Sequence, residues 1–269
     1  MNKSFWQKAW PHFAAIGIFL LISVVYNSPA LEGKVLQQSD VTQWKAMAQQ
    51  SFEVKEKTGR YPLWTNSAFA GMPGYQIALE GAYKYNPTVY YLHYVFTLWL
   101  PKPINYFFLA CLTMYFLLMV LRASPWIGVL TGICYAYSTF NTTIVAVGHD
   151  TQMVTLAYAP AVLAGLSLLF QKRYLWGTLS TAAFSGMLIA VSHLQIVYYT
   201  FIVALFAGIA FLVHTIRKGD IRHAVITSVL AAVSGLAGLG MNMLSLAPLN
   251  EFTKETMRGG RSELSDTTG

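Results

Sequence analysis

The chain has 269 residues, of which 55% are hydrophobic and only 11% charged, with a formal net charge of +7. A soluble domain carries about 25% charged residues, whereas here the apolar residues gather in uninterrupted runs of roughly 15–24, near the ~20 that a helix needs to cross a hydrocarbon layer. An ordinary soluble domain is excluded, and the excess of bases lies in short loops, where membrane topology uses it, so it does not mark a nucleic-acid surface.

Lys3 and Lys8 precede the first apolar run, Phe13–Leu31. A signal peptide starts the same way, but no small-x-small cleavage site follows, so the run reads as an uncleaved first span. A mixed segment of about seventy residues, 32–103, comes next. Within it, Ser39–Lys57 reads as a helix with Ser39 or Asp40 as its N-cap. Residues Thr58-Gly59-Arg60-Tyr61-Pro62 break it, and Gly71-Met72-Pro73-Gly74 forces a turn. Thr88–Leu100 is too short to span and carries Tyr90, Tyr91, His93, Tyr94, Phe96 and Trp99. Such aromatic density favours the headgroup zone, so a helix lying on the membrane surface is expected. Pro101 and Pro103 then turn the chain back into the bilayer.

Six further spans are expected at Ile104–Leu121, Pro125–Val147, Gln152–Phe170, Tyr174–Val191, Gln195–Ile216 and His223–Leu246. The polar tail Ala247–Gly269 reads as the start of another outer loop of a longer protein. The expected fold is an all-α polytopic membrane protein with about seven transmembrane helices and a large first extracytoplasmic loop carrying interfacial helices. No sustained alternation points to a β-barrel. A cytoplasmic N-terminus places Lys3, Lys8, Arg122, Lys172, Arg173, Arg217, Lys218 and Arg222 inside, and leaves the outer turns 148–151 and 192–194 without Lys or Arg.

The eleven acids are informative because they are few. Glu53 and Glu56 lie among Lys55, Lys57 and Arg60, as on a solvated helix face, and Asp220 sits in a basic loop. Asp40 lies nine residues past the first span, and Asp150 lies beside His149 in a tight outer turn. Ionisable groups at the hydrocarbon edge are costly unless paired or functional, and these two are expected to reach the same outer face. Two carboxylates there suit general-base work, metal binding or the gripping of a sugar hydroxyl. A helix N-cap for Asp40 and a capped turn for Asp150 are the plainer readings. His193, at the outer end of the fifth span, is a candidate to converge with His149 and Asp150, a lone interfacial histidine being the plainer reading.

Other signals are discounted. Gly235, Gly238 and Gly240 lie within an apolar span, where close helix packing explains them. Asn141-Thr142-Thr143 is a formal glycosylation sequon inside or near a span, where it reads as part of a polar cleft. Cys111 and Cys134 fall within apolar runs and read as packing residues. No metal-ligand cluster, nucleophile elbow or nucleotide loop is present in the sequence.

The residues Leu31-Glu32-Gly33-Lys34-Val35-Leu36-Gln37-Gln38-Ser39-Asp40-Val41-Thr42-Gln43-Trp44, followed by Pro62-Leu63-Trp64-Thr65-Asn66 and Phe69-Ala70-Gly71-Met72-Pro73, resemble the YfhO family of bacterial membrane proteins. The resemblance covers essentially the whole chain, as the N-terminal part of a longer family member. That family looks like a branch of the GT-C superfamily of polytopic glycosyltransferases. The resemblance therefore implies a location in the bacterial cytoplasmic membrane. The implied donor is a sugar on a polyprenyl phosphate, and the acceptor an extracytoplasmic glycan, lipid or protein. Asp40 matches the expected first-loop catalytic acid and Asp150 the second acid from a later loop. Gln43, Trp64, His149 and His193 are the candidate substrate-binding residues. Many GT-C members carry paired acids in that loop, whereas this chain has Ser39-Asp40; a divalent metal is a possible cofactor, with no ligand set assigned. Lys34, Lys45, Arg258 and Arg261 are available to hold a phosphate. The competing readings are a transporter or flippase of lipid-linked saccharides and a non-catalytic assembly protein. The near absence of charge in the middle of the spans argues against a translocation path.

Overall fold

A computed structural model describes residues 4–68, 70–77, 86–254 and 256. The helices run α1 (Phe5–Tyr26), α2 (Ser39–Thr58), α3 (Gly74–Ile77), α4 (Pro87–Phe96), α5 (Ile104–Val120), α6 (Pro125–Ala136), α7 (Thr139–Val147), α8 (Asp150–Phe170), α9 (Tyr174–Ala190), α10 (Leu194–Arg217), α11 (Ile221–Gly240) and α12 (Met243–Lys254). Among the described residues the sheet is a single antiparallel pair, β1 (Trp64–Thr65) with β2 (Met72–Pro73).

Four helices are long and apolar enough to cross a membrane: α1, α8, α10 and α11. These mark a membrane protein, but the other expected spans are shorter or broken. α5 and α9 have 17 residues each. The expected span Pro125–Val147 is not one helix, because it divides at Tyr137-Ser138 into α6 and α7. The Ser138 side chain accepts from the Asn141 amide and starts a new helix, while Asn141 Nδ2 donates to the Tyr135 carbonyl across the break. Buried Asn141 thus satisfies a backbone group freed by the break and does not line a cleft. The first helix also starts earlier than expected. Ser4 and Gln7 form a capping box ahead of it, and Asn27 closes it by donating to the Ser23 carbonyl. Residues Ser28–Glu32 then form a 3-10 turn.

The centre of the bundle is α5, α8 and α9, with α11 against α9 and α1 and α6 against α5. Between helices in lipid, apolar burial supplies little drive, and close packing decides. The α8–α9 seam is built on it. A Cβ at Gly165 would lie 2.6 Å from the Thr181 backbone nitrogen, so only glycine lets these helices approach. Of the three glycines attributed to packing in α11, Gly238 meets Ser185 and Gly186, whereas Gly235 and Gly240 face open space. Cys111 is buried in the core, but Cys134 is exposed, so only the first is a core packing residue.

One face of the helix expected to lie on the membrane surface packs against the bundle. In α4, His93 bonds to the hydroxyl of Tyr158 at 2.8 Å, and Phe96 meets Phe184 with centroids 5.3 Å apart. Tyr158 lies two turns inside α8, about 12 Å along its axis. The remaining surface of α4 and its following turn, with Tyr91, Val95 and Trp99, stays exposed.

Turns at the two ends of the bundle differ in charge. At one end Gln171 donates to the Val120 carbonyl, Lys172 pairs with Asp220, and Tyr174 bonds to His223, which gathers the basic turns that follow α5, α8 and α10. The opposite end holds the turn between α7 and α8 and the segment that leads into α2.

Candidate functional site at the start of the first loop

Helix α2 begins two residues earlier than an Asp40 cap requires. Gln38 occupies the N-cap position, without a side-chain bond, and Asp40 falls in the first turn. Its carboxylate is therefore free of capping, and the position suits a negative charge at the positive end of the helix. It turns outward onto another part of the chain. His149 Nε2 donates to Asp40 Oδ2 at 2.7 Å, and the Ser39 hydroxyl donates to Asp40 Oδ1 at 3.2 Å. His149 Nδ1 faces Gln152 Oε1 at 3.0 Å. Two oxygen acceptors around one ring favour the doubly protonated imidazolium. His149 accordingly titrates above its ordinary 6.5, through the Gln152 hydrogen bond first and then the bond and charge of Asp40, with partial burial opposing.

Asp150 stands beside this pair in a different environment. Tyr106 donates to its Oδ2 at 2.8 Å, Lys102 Nζ lies 3.4 Å from the same oxygen, and Gln38 Nε2 donates to its Oδ1 at 3.3 Å. Gln38 also donates to the Val145 carbonyl at 2.6 Å. Asp150 opens α8, where the helix dipole favours its charge. Its side chain is 22% exposed, against 47% for Asp40. Gly148 makes the approach possible: its φ of +106° suits glycine, and a Cβ there would lie 3.1 Å from that of Gln38.

Asp40, His149 and Asp150 lie side by side at this end of the bundle, each acid with its own partners, and among the described residues no hydrogen bond joins the other candidates to them. Gln43 lies on the next turn of α2, exposed. Trp64 packs its indole on Gly71 and donates to Asn66 at 3.0 Å. Its strand is stapled to Gln50, ten residues beyond Asp40 and so about 15 Å along α2. His193 is half-buried at the start of α10. Burial first and the His149 charge second push its pKa down, and among the described residues no hydrogen bond links it to the cluster. Lys34 pairs with Glu32; Arg258 and Arg261 lie outside the described residues, as does most of the tail after Lys254. Gln38, Tyr106, Lys102 and Gln152 had no sequence signal, because each is joined to the acids only through the fold.

The acids do not converge on one point. Asp40 faces His149 while Asp150 faces Tyr106, Gln38 and Lys102, and among the described residues no group of three His, Cys, Asp or Glu side chains is arranged to hold a metal. The donor set does not fit a metal ion bridging the two acids. Next to the cluster, a cavity of about 320 Å³ is lined by Tyr26, Pro29, Val35, Phe107 and Val145, with Lys34 also on its wall. No family model matches this chain, nor does any curated protein or solved structure.

Proposed function

We propose that the chain is part of a membrane glycosyltransferase of the GT-C kind, crossing the bilayer seven times and taking sugar from a polyprenyl-phosphate donor to an extracytoplasmic acceptor. The observation that carries this reading is the Asp40–His149 contact: a carboxylate from the first loop, open to solvent, held in place at the end of a membrane helix. In this reading Asp40 takes the proton of the acceptor hydroxyl as its oxygen attacks the anomeric carbon. The bond from that carbon to the donor phosphate breaks, and its electrons leave with the phosphate. His149, pinned by Gln152, orients the carboxylate. Asp150, already engaged on both oxygens, is a positioning residue that holds Gln38 and hence the start of α2.

The neighbouring cavity supports the reading. Its apolar walls suit the first isoprene units of a donor. The seven crossings combine the four long helices with α5, with α6 and α7 together, and with α9. Asp40→Asn tests the assignment in membranes that contain the protein. Transfer of sugar to the acceptor is expected to fall at least about a hundredfold, the range of general-base loss. Transfer at the wild-type rate would exclude Asp40 as the base.

A further inference from the structure

At the end of the bundle far from Asp40, α10 packs loosely. A half-open cavity of about 330 Å³ lies between it and α8, α9 and α11, with walls that include Val162, Phe201, Leu205, Leu212 and Ala231. The walls are apolar except for four hydroxyls. Two of these, on Thr181 and Ser185, are buried and have no hydrogen-bond partner. Both side chains face helix seams, Thr181 toward Gly165 and Ser185 toward Gly238, so the surface open to the groove is apolar. Gly208 and Gly235 line the same space, and a Cβ at either would meet nothing within 4 Å.

The groove runs toward the turn that joins α10 to α11. Phe170 and Phe211 stack at that end with centroids 4.1 Å apart, and His223 closes over Phe211 while bonding to the Phe170 carbonyl. Around this closure stand Arg173, Arg217, Lys218 and Arg222, all exposed. The nearby acid, Asp220, is already paired with Lys172 at 2.6 Å. A basic rim therefore caps a groove with apolar walls.

We infer that this groove is a binding site for one anionic phospholipid of the leaflet opposite the Asp40 face. The acyl chains lie between α10 and α11, and the phosphate meets Arg217, Lys218 and Arg222. Charge complementarity selects the occupant. Each base near a membrane surface favours an anionic headgroup, whereas a neutral lipid or an apolar helix gains nothing from that rim. The site is independent of the sugar-transfer reading, since it lies at the other end of the molecule.

Native mass spectrometry of the whole chain in detergent, with dioleoyl phosphatidylglycerol and dioleoyl phosphatidylcholine added in equal amounts, tests it. One phosphatidylglycerol is expected to be retained with at least about tenfold preference. Replacing Arg217, Lys218 and Arg222 together by Gln is expected to abolish the preference. Gly208→Leu, which fills the groove from an exposed helix and improves helix propensity, is expected to abolish retention. Circular dichroism confirms that each variant is folded, and Gly235→Leu replaces any that is not. Equal retention of the two lipids overturns the inference, as does undiminished retention in Gly208→Leu. A wild-type dimer that Gly208→Leu dissociates without changing lipid retention would assign the groove to a second copy of the chain and overturn it too.

Discussion

Asp40 and His149 stand 109 positions apart in the chain, yet Nε2 of the imidazole lies 2.7 Å from the carboxylate. The contact joins the start of the first loop to the turn between α7 and α8. Both side chains are nearly half exposed, at 47% and 44%, so solvent screens the pair. Its contribution to stability is under about 1 kcal/mol. Its effect is to orient the carboxylate more than to hold the fold together.

The pair is expected to weaken as pH rises. The folded-state pKa of His149 is raised above the ordinary 6.5, so its stabilising effect is fully present below 6.5 and is lost as pH passes through the raised value. Hydrogen exchange at the N-terminal turn of α2 should therefore accelerate above that window. His149→Gln should remove the pH dependence. An exchange rate at Ser39–Gln43 that follows only the intrinsic pH dependence in both proteins would argue against the coupling.

Asp150 is expected to matter for stability more than Asp40. Asp150→Ala leaves Tyr106, Gln38 and Lys102 without their shared acceptor and removes the charge at the start of α8. Removing an acceptor whose side chain is only 22% exposed is expected to cost roughly 1–3 kcal/mol, against less than about 1 kcal/mol for Asp40→Ala. Thermal unfolding in detergent compares the two, and the reverse order would contradict the positioning role.

Two glycines should respond in opposite ways. Gly165→Ala places a methyl 2.6 Å from the Thr181 backbone and is expected to cost about 1–3 kcal/mol by forcing α8 from α9. Gly208→Ala meets nothing and should be neutral or stabilise by up to about 1 kcal/mol through helix propensity. Their melting temperatures decide whether the α8–α9 seam is the tight one.

The seven-crossing reading has a direct test. With Cys111 and Cys134 replaced by Ser, Lys102→Cys and Lys218→Cys should label with a membrane-impermeant maleimide from opposite sides of sealed vesicles. Labelling of both from one side would remove the proposed topology.

Sequence by itself determined that these segments are apolar helices and which short turns carry the bases. Composition and run length follow from single residues and need no neighbours, and the same holds for Asp40 and Asp150 as unusual acids near the ends of apolar runs. Tertiary structure alone decided the rest. The division of the expected third span depends on one Ser138 cap and on the Asn141 bond that closes the break, a signal much weaker than the hydropathy around it. Helix α4 carries an interfacial composition, but Tyr158 and Phe184 supply partners that hold one face of it against the bundle. Trp64 belongs to the same loop as Asp40, yet the length of α2 separates them. The partners that distinguish open Asp40 from engaged Asp150 come from α5, from α8 and from the residues just before α2 and α5. Sequence separation hides such partners, because only packing brings a tyrosine at 106 to a carboxylate at 150.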